Sequence, residues 1–339
     1  MKVLLFSQGR KALNKSGIGR ARTLQMSALD TASISYTTDL KDNFDVVHIN
    51  TLFKKSYNLM RKNQKLGIPV IAHGHSTKED FENSFALWKL IKPWFNRKLI
   101  KMYSTANCIV TPTNYSKKLI ENYGVIDCPI YALSNGIDLS QYGNLNDEDL
   151  KAFKDKFNIK NERVIIGVGL YFERKGLHDF IEVARSFPNY KFIWFGNLNK
   201  ILTTNLIKKA IKNRPENVIM AGYQTGAIIK SAYMYATACL FPSYEETEGI
   251  VVLESLASKT PLIVRDIGVY ADWLEDGVNC YKGKNNTDFV NLIKLVSITN
   301  NELLTKNGYD VVKKRSIDIV GKSLGEIYQS VIDKNKVNH

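Results

Sequence analysis

The chain has 339 residues, 44% of them apolar and 24% charged, which is enough length for two separately cored domains and ordinary for a globular protein. Its cysteines, Cys108, Cys128, Cys239 and Cys280, are scattered and form no C-x-x-C, which argues against a zinc site or a disulfide framework and points to a reduced, cytoplasmic compartment. Met1–Phe6 is too short an apolar opening for a signal peptide, and no apolar run approaches the roughly 18 residues that span a bilayer. The net charge of +14 is uneven: residues 1–140 hold 20 Lys/Arg against 10 Asp/Glu, and residues 141–339 hold 27 against 23. The first part should therefore meet something anionic, such as an acidic substrate, a membrane surface or nucleic acid.

In chain order, Lys2–Ser7 reads as a short buried strand. The loop Ser16-Gly17-Ile18-Gly19-Arg20 follows and leads into a helix through Leu29. It is not a full G-x-G-x-x-G, so it reads as a flexible loop that lets backbone approach a ligand, with Gly17 and Gly19 as candidate donor-binding positions. Asp45–Asn50 and Pro69–His73 are further strands, the second ending in His73-Gly74-His75-Ser76. H-x-H alone is a poor metal motif, and a hydrogen bond to a substrate hydroxyl suits a histidine there better. Ala106–Pro112 is a strand and Ser116–Tyr123 a helix. Strands alternating with helices predict a parallel, doubly wound sheet.

The polar region Asn135–Asn161 predicts a domain boundary. Its Asp147-Glu148-Asp149 is first-turn helix chemistry and is given no function. The pattern then restarts, with strands at Arg163–Val168, Lys191–Phe195, Asn217–Ala221, Ala238–Phe241 and Pro261–Arg265, a helix at Gly176–Ser186 after the first of them, and a last helix over Ser316–Asp333. The expected domains are 1–140, facing acceptor and membrane, and 141–315, binding a nucleotide sugar, with 316–339 crossing back to the first. In such sheets ligands bind beyond the C-terminal strand ends.

Two strand-end segments carry the chemistry. Arg174-Lys175-Gly176 puts two cations beside a glycine that opens a helix, which suits a diphosphate. Pro242-Ser243-Tyr244-Glu245-Glu246-Thr247-Glu248-Gly249-Ile250 leads into an apolar run that includes Glu254. With a helix starting near Ile250, Glu246 lies before its N-terminus and Glu254 about one turn inside. Carboxylates there accept hydrogen bonds from sugar hydroxyls, and Gly249 and Ile250 offer free N–H groups.

Together these pieces, with Ser134-Asn135-Gly136-Ile137-Asp138, Glu246-x7-Glu254 and Ser258-x-x-Pro261, resemble the GT-B-fold retaining glycosyltransferases of family 4 over nearly the whole chain. The resemblance implies an α/β architecture of two Rossmann-like domains with a cleft between them. It implies that Arg174 and Lys175 hold the donor diphosphate, that Glu246 binds the transferred sugar and Glu254 the ribose. It also places His75 near the donor sugar and Tyr223 near the base, with no cofactor and no metal. Leu170 stands where the family has an arginine, Glu248 where it often has an aromatic, and Cys280 where it commonly has a glycine.

One segment bears on the acceptor. Phe81–Tyr103 carries Lys89, Lys92, Arg97, Lys98 and Lys101 against the single acid Glu82, with Trp88, Trp94 and Phe95. Phe81, Phe85, Trp88 and Ile91 keep helical spacing, and Pro93 should break or kink the run. Basic, aromatic and amphipathic together predict a helix in an anionic membrane interface, its alternative being a helix with its aromatics in the core. Within family 4 the opening residues, the His73–Ser76 turn and Tyr244–Gly249 look most like bacterial glycolipid synthases of the galactosyl-glucosyl-diacylglycerol type. The expected activity is transfer of a hexose, galactose foremost, from a UDP-sugar to a glucosyl-diacylglycerol at the inner face of the plasma membrane. The alternatives are a soluble or polyprenyl-linked glycan acceptor, a sugar-nucleotide epimerase of the same fold, and, from another class, a basic nucleic-acid-binding protein, for which no recognisable module is present.

Overall fold

The computed structural model describes residues 1–9, 16–143 and 146–337; residues 10–15 ahead of the glycine loop, Asn144 and Leu145 of the expected boundary, and Asn338 and His339 at the end lie outside them. The chain divides into two compact units. The first comprises Met1–Phe81, Lys89–Asp138 and Arg315–His339, and the second Glu82–Trp88 and Leu139–Lys314. Glu82–Trp88, expected in the first domain, packs with the second unit.

In the first unit β1 (Lys2–Phe6) leads to α1 (Gly17–Thr31), β2 (Ser35–Thr37), β3 (Val46–Ile49), α2 (Lys54–Lys65) and β4 (Val70–His73). A single helical turn, α3 (Lys78–Phe81), precedes α4 (Trp88–Tyr103), β5 (Cys108–Thr111), α5 (Asn114–Glu121) and β6 (Ile130–Ala132). The six strands are parallel, in the order β2-β1-β3-β4-β5-β6. Every residue of β3, β4 and β5 is buried, as a sheet covered on both faces requires.

The second unit repeats the plan. It runs α6 (Asp147–Lys156), β7 (Val164–Val168), α7 (Leu177–Ala184), β8 (Lys191–Phe195), α8 (Asn205–Lys212), β9 (Val218–Gly222) and α9 (Ala227–Tyr235). It continues through β10 (Ala238–Phe241), α10 (Ile250–Ala257), β11 (Leu262–Arg265), β12 (Tyr281–Gly283), α11 (Asn286–Ile298) and α12 (Glu302–Lys313). Its parallel sheet is ordered β12-β11-β10-β7-β8-β9. The strand order reverses between β7 and β10, so the loops after those two strands flank the point where doubly wound sheets bind ligands.

The last helix, α13 (Ile317–Val337), belongs to the first unit and packs on α1. Val320, Leu324, Tyr328 and Val331 enter the core beside β1 and β5, as the apolar spacing requires. Gly321 lets the two helices touch backbone to backbone: a Cβ there would lie 2.0 Å from the Ala28 carbonyl oxygen. Gly321→Val should therefore destabilise the first unit by about 1–3 kcal/mol, the usual cost of overpacking. Urea unfolding followed by circular dichroism checks this, and an unchanged midpoint would contradict the packing.

Candidate active site

Two loops of the second unit build the site. After β7 the chain makes a 3-10 turn, Glu173–Lys175, and Gly176 at φ +70° turns it into α7. Only glycine fits, because a Cβ on Gly176 would stand 2.3 Å from the Pro242 carbonyl oxygen. That approach presses the β7 loop onto the loop after β10. Tyr244 N–H donates to the Arg174 carbonyl (2.7 Å), and Arg174 Nη1 donates to the Glu245 carbonyl (3.0 Å).

Glu246 lies buried at the meeting point. Lys175 Nζ donates to its Oε1, and Arg174 Nη1 stands 3.8 Å from its Oε2. Burial by itself pushes the Glu246 carboxyl up. The adjacent Lys175 and Arg174 charges, with hydrogen bonds from Lys175 and Ser243, outweigh burial and hold it below the usual glutamate range. Three residues on, Gly249 at φ +88° starts α10, and its neighbour Ile250 is the first helical residue. Glu254 lies in the second turn of α10 and accepts from Tyr233 Oη (2.9 Å).

Beneath these loops is a network that the sequence did not single out. Arg265 donates from Nη2 to Asp179 (2.6 Å), from Nε to the Pro242 carbonyl (3.0 Å) and from Nη1 to the Lys284 carbonyl (2.7 Å). Tyr244 donates to the same Asp179 oxygen (2.7 Å) and lies under the Arg265 guanidinium. The available signal was Arg265, a lone arginine ending an otherwise apolar strand. Tyr223 is partly exposed just after β9 and beside Gly222, which has φ +67°. Of the positions that depart from the family pattern, Glu248 and Cys280 are fully buried.

His75 follows β4 in the first unit, where His48, His73 and His75 stack face to face with ring centroids 5.1 and 3.8 Å apart. Among the described residues no group of three or more His, Cys, Asp or Glu side chains is placed to hold a metal ion. A buried amide relay fixes the tautomers of the three histidines. Asn50 Nδ2 donates to Gln25 Oε1 (2.9 Å), so Asn50 Oδ1 accepts from His75 Nε2 (2.9 Å). Gln25 Nε2 in turn faces His48 Nδ1 (2.9 Å), and His48 Nε2 donates to His73 Nδ1 (3.1 Å). His75 is thus protonated on Nε2 and keeps Nδ1 as its acceptor. Burial lowers all three histidines, His73 to about 3, and the neighbouring rings lower His48 and His75 further. All three are neutral at pH 7.

The glycine loop is a helix start rather than a flexible loop: Gly17 and Gly19 are in the first turn of α1, where Ser16 Oγ accepts from Gly19 N–H (3.4 Å). The predicted helix across Phe81–Tyr103 is interrupted at residues 82–87, and α4 begins only at Trp88. Pro93 neither ends nor splits it; the helix continues through Tyr103, giving up one backbone donor. The side chains of this segment divide between a buried face and an exposed one. Leu99, Met102 and Tyr103 enter the core, and Phe81 stacks on Phe95 at 3.8 Å. Lys89, Leu90, Ile91, Trp94 and Arg97 are exposed, while Trp88, Lys92 and Lys98 are half-buried, with Lys98 lying over the Trp94 ring.

Comparison with known proteins bears on the family and the fold. The family model described as Glycosyltransferase Family 4 matches residues 23–141, and that described as Glycosyl transferases group 1 matches residues 149–310. A processive diacylglycerol alpha-glucosyltransferase of Acholeplasma laidlawii is 52% identical, over 98% of this chain and 99% of its own. The chain belongs to glycosyltransferase family 4. It is a glycosyltransferase of GT-B fold, with two parallel six-stranded α/β sheets. An alpha-galactosylglucosyldiacylglycerol synthase of Streptococcus pneumoniae is 23% identical over 78% of this chain and 71% of its own. The Anabaena HepE protein, solved with UDP and glucose, superposes with a TM-score of 0.78 at 15% identity, over 97% of this chain and all of that one.

Two pH windows follow from the site. His48 and His73 stay neutral when folded, so the unfolded chain alone takes up protons below about pH 6.5; stability is complete above that value and falls below it. Glu246 has a depressed folded value, so its contribution is present above the ordinary glutamate range of about 4.3 and is lost as pH falls through its own. His48→Gln should flatten the first decline and Glu246→Gln the second, as read from thermal midpoints between about pH 7 and 3. Variant curves parallel to wild type in both windows would contradict these assignments.

Proposed function

We propose that the enzyme transfers a hexose from a UDP-sugar to a diacylglycerol-based acceptor at a membrane surface, with retention of anomeric configuration. The observation that carries this reading is the 52% identity, over nearly the full length of both chains, to a diacylglycerol alpha-glucosyltransferase. That relative favours glucose as the transferred sugar, whereas the galactose expected from the sequence has the support of a 23% identical relative.

Arg174 and Lys175 bind the donor diphosphate in this reading, helped by the N–H groups of Gly249 and Ile250 at the start of α10. Glu246 accepts from hydroxyls of the hexose and Glu254 from the ribose, Tyr223 lies by the base, and Gly17 and Gly19 offer backbone from the start of α1. His75 accepts a hydroxyl hydrogen at Nδ1. The bond from C1 to the diphosphate oxygen breaks as the acceptor hydroxyl oxygen bonds to C1 on the same face. The acceptor's proton passes to the departing diphosphate oxygen. The two cations stabilise the charge that develops there, a role worth about 3–4 kcal/mol per well-placed donor. No free metal enters this scheme.

The exposed face of α4 supports a peripheral site on the inner leaflet. Leu90, Ile91 and Trp94 face solvent among Lys89, Lys92 and Arg97. Among the described residues no helix is long and apolar enough to cross a membrane.

Labelled UDP-glucose and UDP-galactose, each offered with diacylglycerol or glucosyl-diacylglycerol in anionic mixed micelles, test the proposal. Labelled lipid should form, with UDP-glucose the better donor. Sugar-nucleotide consumption without lipid product, or transfer only to a water-soluble glycan, would overturn it. Glu246→Gln should lower kcat/KM by roughly a hundredfold or more while the protein stays folded. Retained activity would remove Glu246 from the site.

A further inference from the structure

We infer that the second unit carries a membrane-contact surface of its own, formed by Leu87 and the turn Asn199–Leu202; this rests on the membrane reading above. Leu87 is 70% exposed and Ile201 80% exposed, with Leu202 and Leu206 each close to half exposed. Single exposed leucines are common on protein surfaces, but these converge. Ala86 N–H donates to the Leu202 carbonyl at 2.7 Å, which joins the segment carrying Leu87 to the turn carrying Ile201.

The turn is built rather than loose. Asn199 Oδ1 accepts from Ile201 N–H (2.9 Å), and the Asn199 carbonyl accepts from Leu202 N–H (3.0 Å) and from Thr203 Oγ1 (3.0 Å). Thr203 itself is buried. Ile201 and Leu202 are thus held out in water by a fixed backbone. Leu87 has φ +65°, a left-handed conformation a leucine adopts only when its surroundings impose it. The segment is pinned on its other side, where the Asn83 carbonyl accepts from Arg174 N–H (3.0 Å) and Ser84 Oγ accepts from Arg174 Nε (2.8 Å).

The charge around the turn selects the occupant. Residues 197–215 contain Lys200, Lys208, Lys209, Lys212 and Arg214 and no acid, and Lys200, Lys208 and Lys209 are exposed. An apolar tip with Lys200 beside it and exposed Lys208 and Lys209 on the helix that follows fits an anionic phospholipid bilayer, with acyl chains taking Ile201 and Leu202 and headgroup phosphates the ammonium groups.

Sedimentation with phosphatidylglycerol vesicles tests this on the full-length protein and three variants, Ile201→Asp, Ile201→Trp and Trp94→Asp. Wild type should pellet with these vesicles, Ile201→Asp should bind roughly tenfold more weakly with an unchanged circular dichroism spectrum, and Ile201→Trp should bind more tightly. If Trp94→Asp loses binding while both Ile201 variants bind as wild type does, the second surface is refuted and the membrane role of α4 stands. If wild type does not bind, both fall. Should Ile201→Asp perturb folding, Ile201→Trp decides, since equal or weaker binding by it overturns the inference.

Discussion

The site depends on one steric constraint, the contact of Gly176 with the Pro242 carbonyl. No other residue type could supply the left-handed turn and also leave room for that oxygen. Because β7 and β10 are neighbours at the sheet's switch point, their loops leave the strands side by side. The glycine brings them together closely enough for Lys175 and Glu246 to form a partly buried ion pair across 71 residues of sequence. Arg265 fixes the Pro242 carbonyl from below, so the contact is held from two sides.

The two units solve buried polarity in opposite ways. In the first, three adjacent histidines share a core with Gln25, Asn50 and Tyr328, and desolvation keeps them uncharged. In the second, opposite charges are paired within hydrogen-bonding distance, as in Arg265–Asp179 and Lys175–Glu246. A neutral relay can hand fixed donor and acceptor directions up to His75 without creating a field. The second unit, if it meets a diphosphate, needs the field. Each solution suits what its loops carry.

The strands with continuous apolar runs were legible in the sequence because a sheet covered on both faces leaves only that pattern. β1, β3, β4, β5, β7, β8, β10 and β11 all lie within a residue or two of their expected bounds. The strands left unmarked, β2, β6 and β12, have three residues each and lie at sheet edges, where half-exposed side chains carry no apolar signal. The break at residues 82–87 was hidden for another reason. Phe81, Phe85 and Trp88 keep helical spacing, yet Asn83 and Ser84 are recruited by Arg174 some ninety positions downstream. Local periodicity cannot report a tertiary partner that competes for the backbone. Likewise the Arg174-Lys175-Gly176 and Glu246 loops stand out as short motifs, whereas the Asp179–Arg265–Tyr244 support is assembled from three elements and has no linear signature.

Under the proposed function, the pairing of Arg174, Lys175 and Glu246 bears on how the loops would take an anion. Arg174 and Lys175 bring two positive charges and Glu246 one negative, so the trio keeps a net positive charge after its internal pairing. A fully neutralised pair would offer an incoming diphosphate little, and two unpaired cations this buried would cost several kcal/mol in desolvation. One carboxylate between two cations offsets part of their desolvation cost, and Glu173, Glu245 and Glu248 add further negative charge to the same loops. In the proposed reading an arriving diphosphate would share Lys175 with Glu246, and the displaced carboxylate oxygen would accept from a sugar hydroxyl. In that reading the ion pair that joins the two loops is the same contact that a bound nucleotide sugar would divide between its phosphate and its hexose.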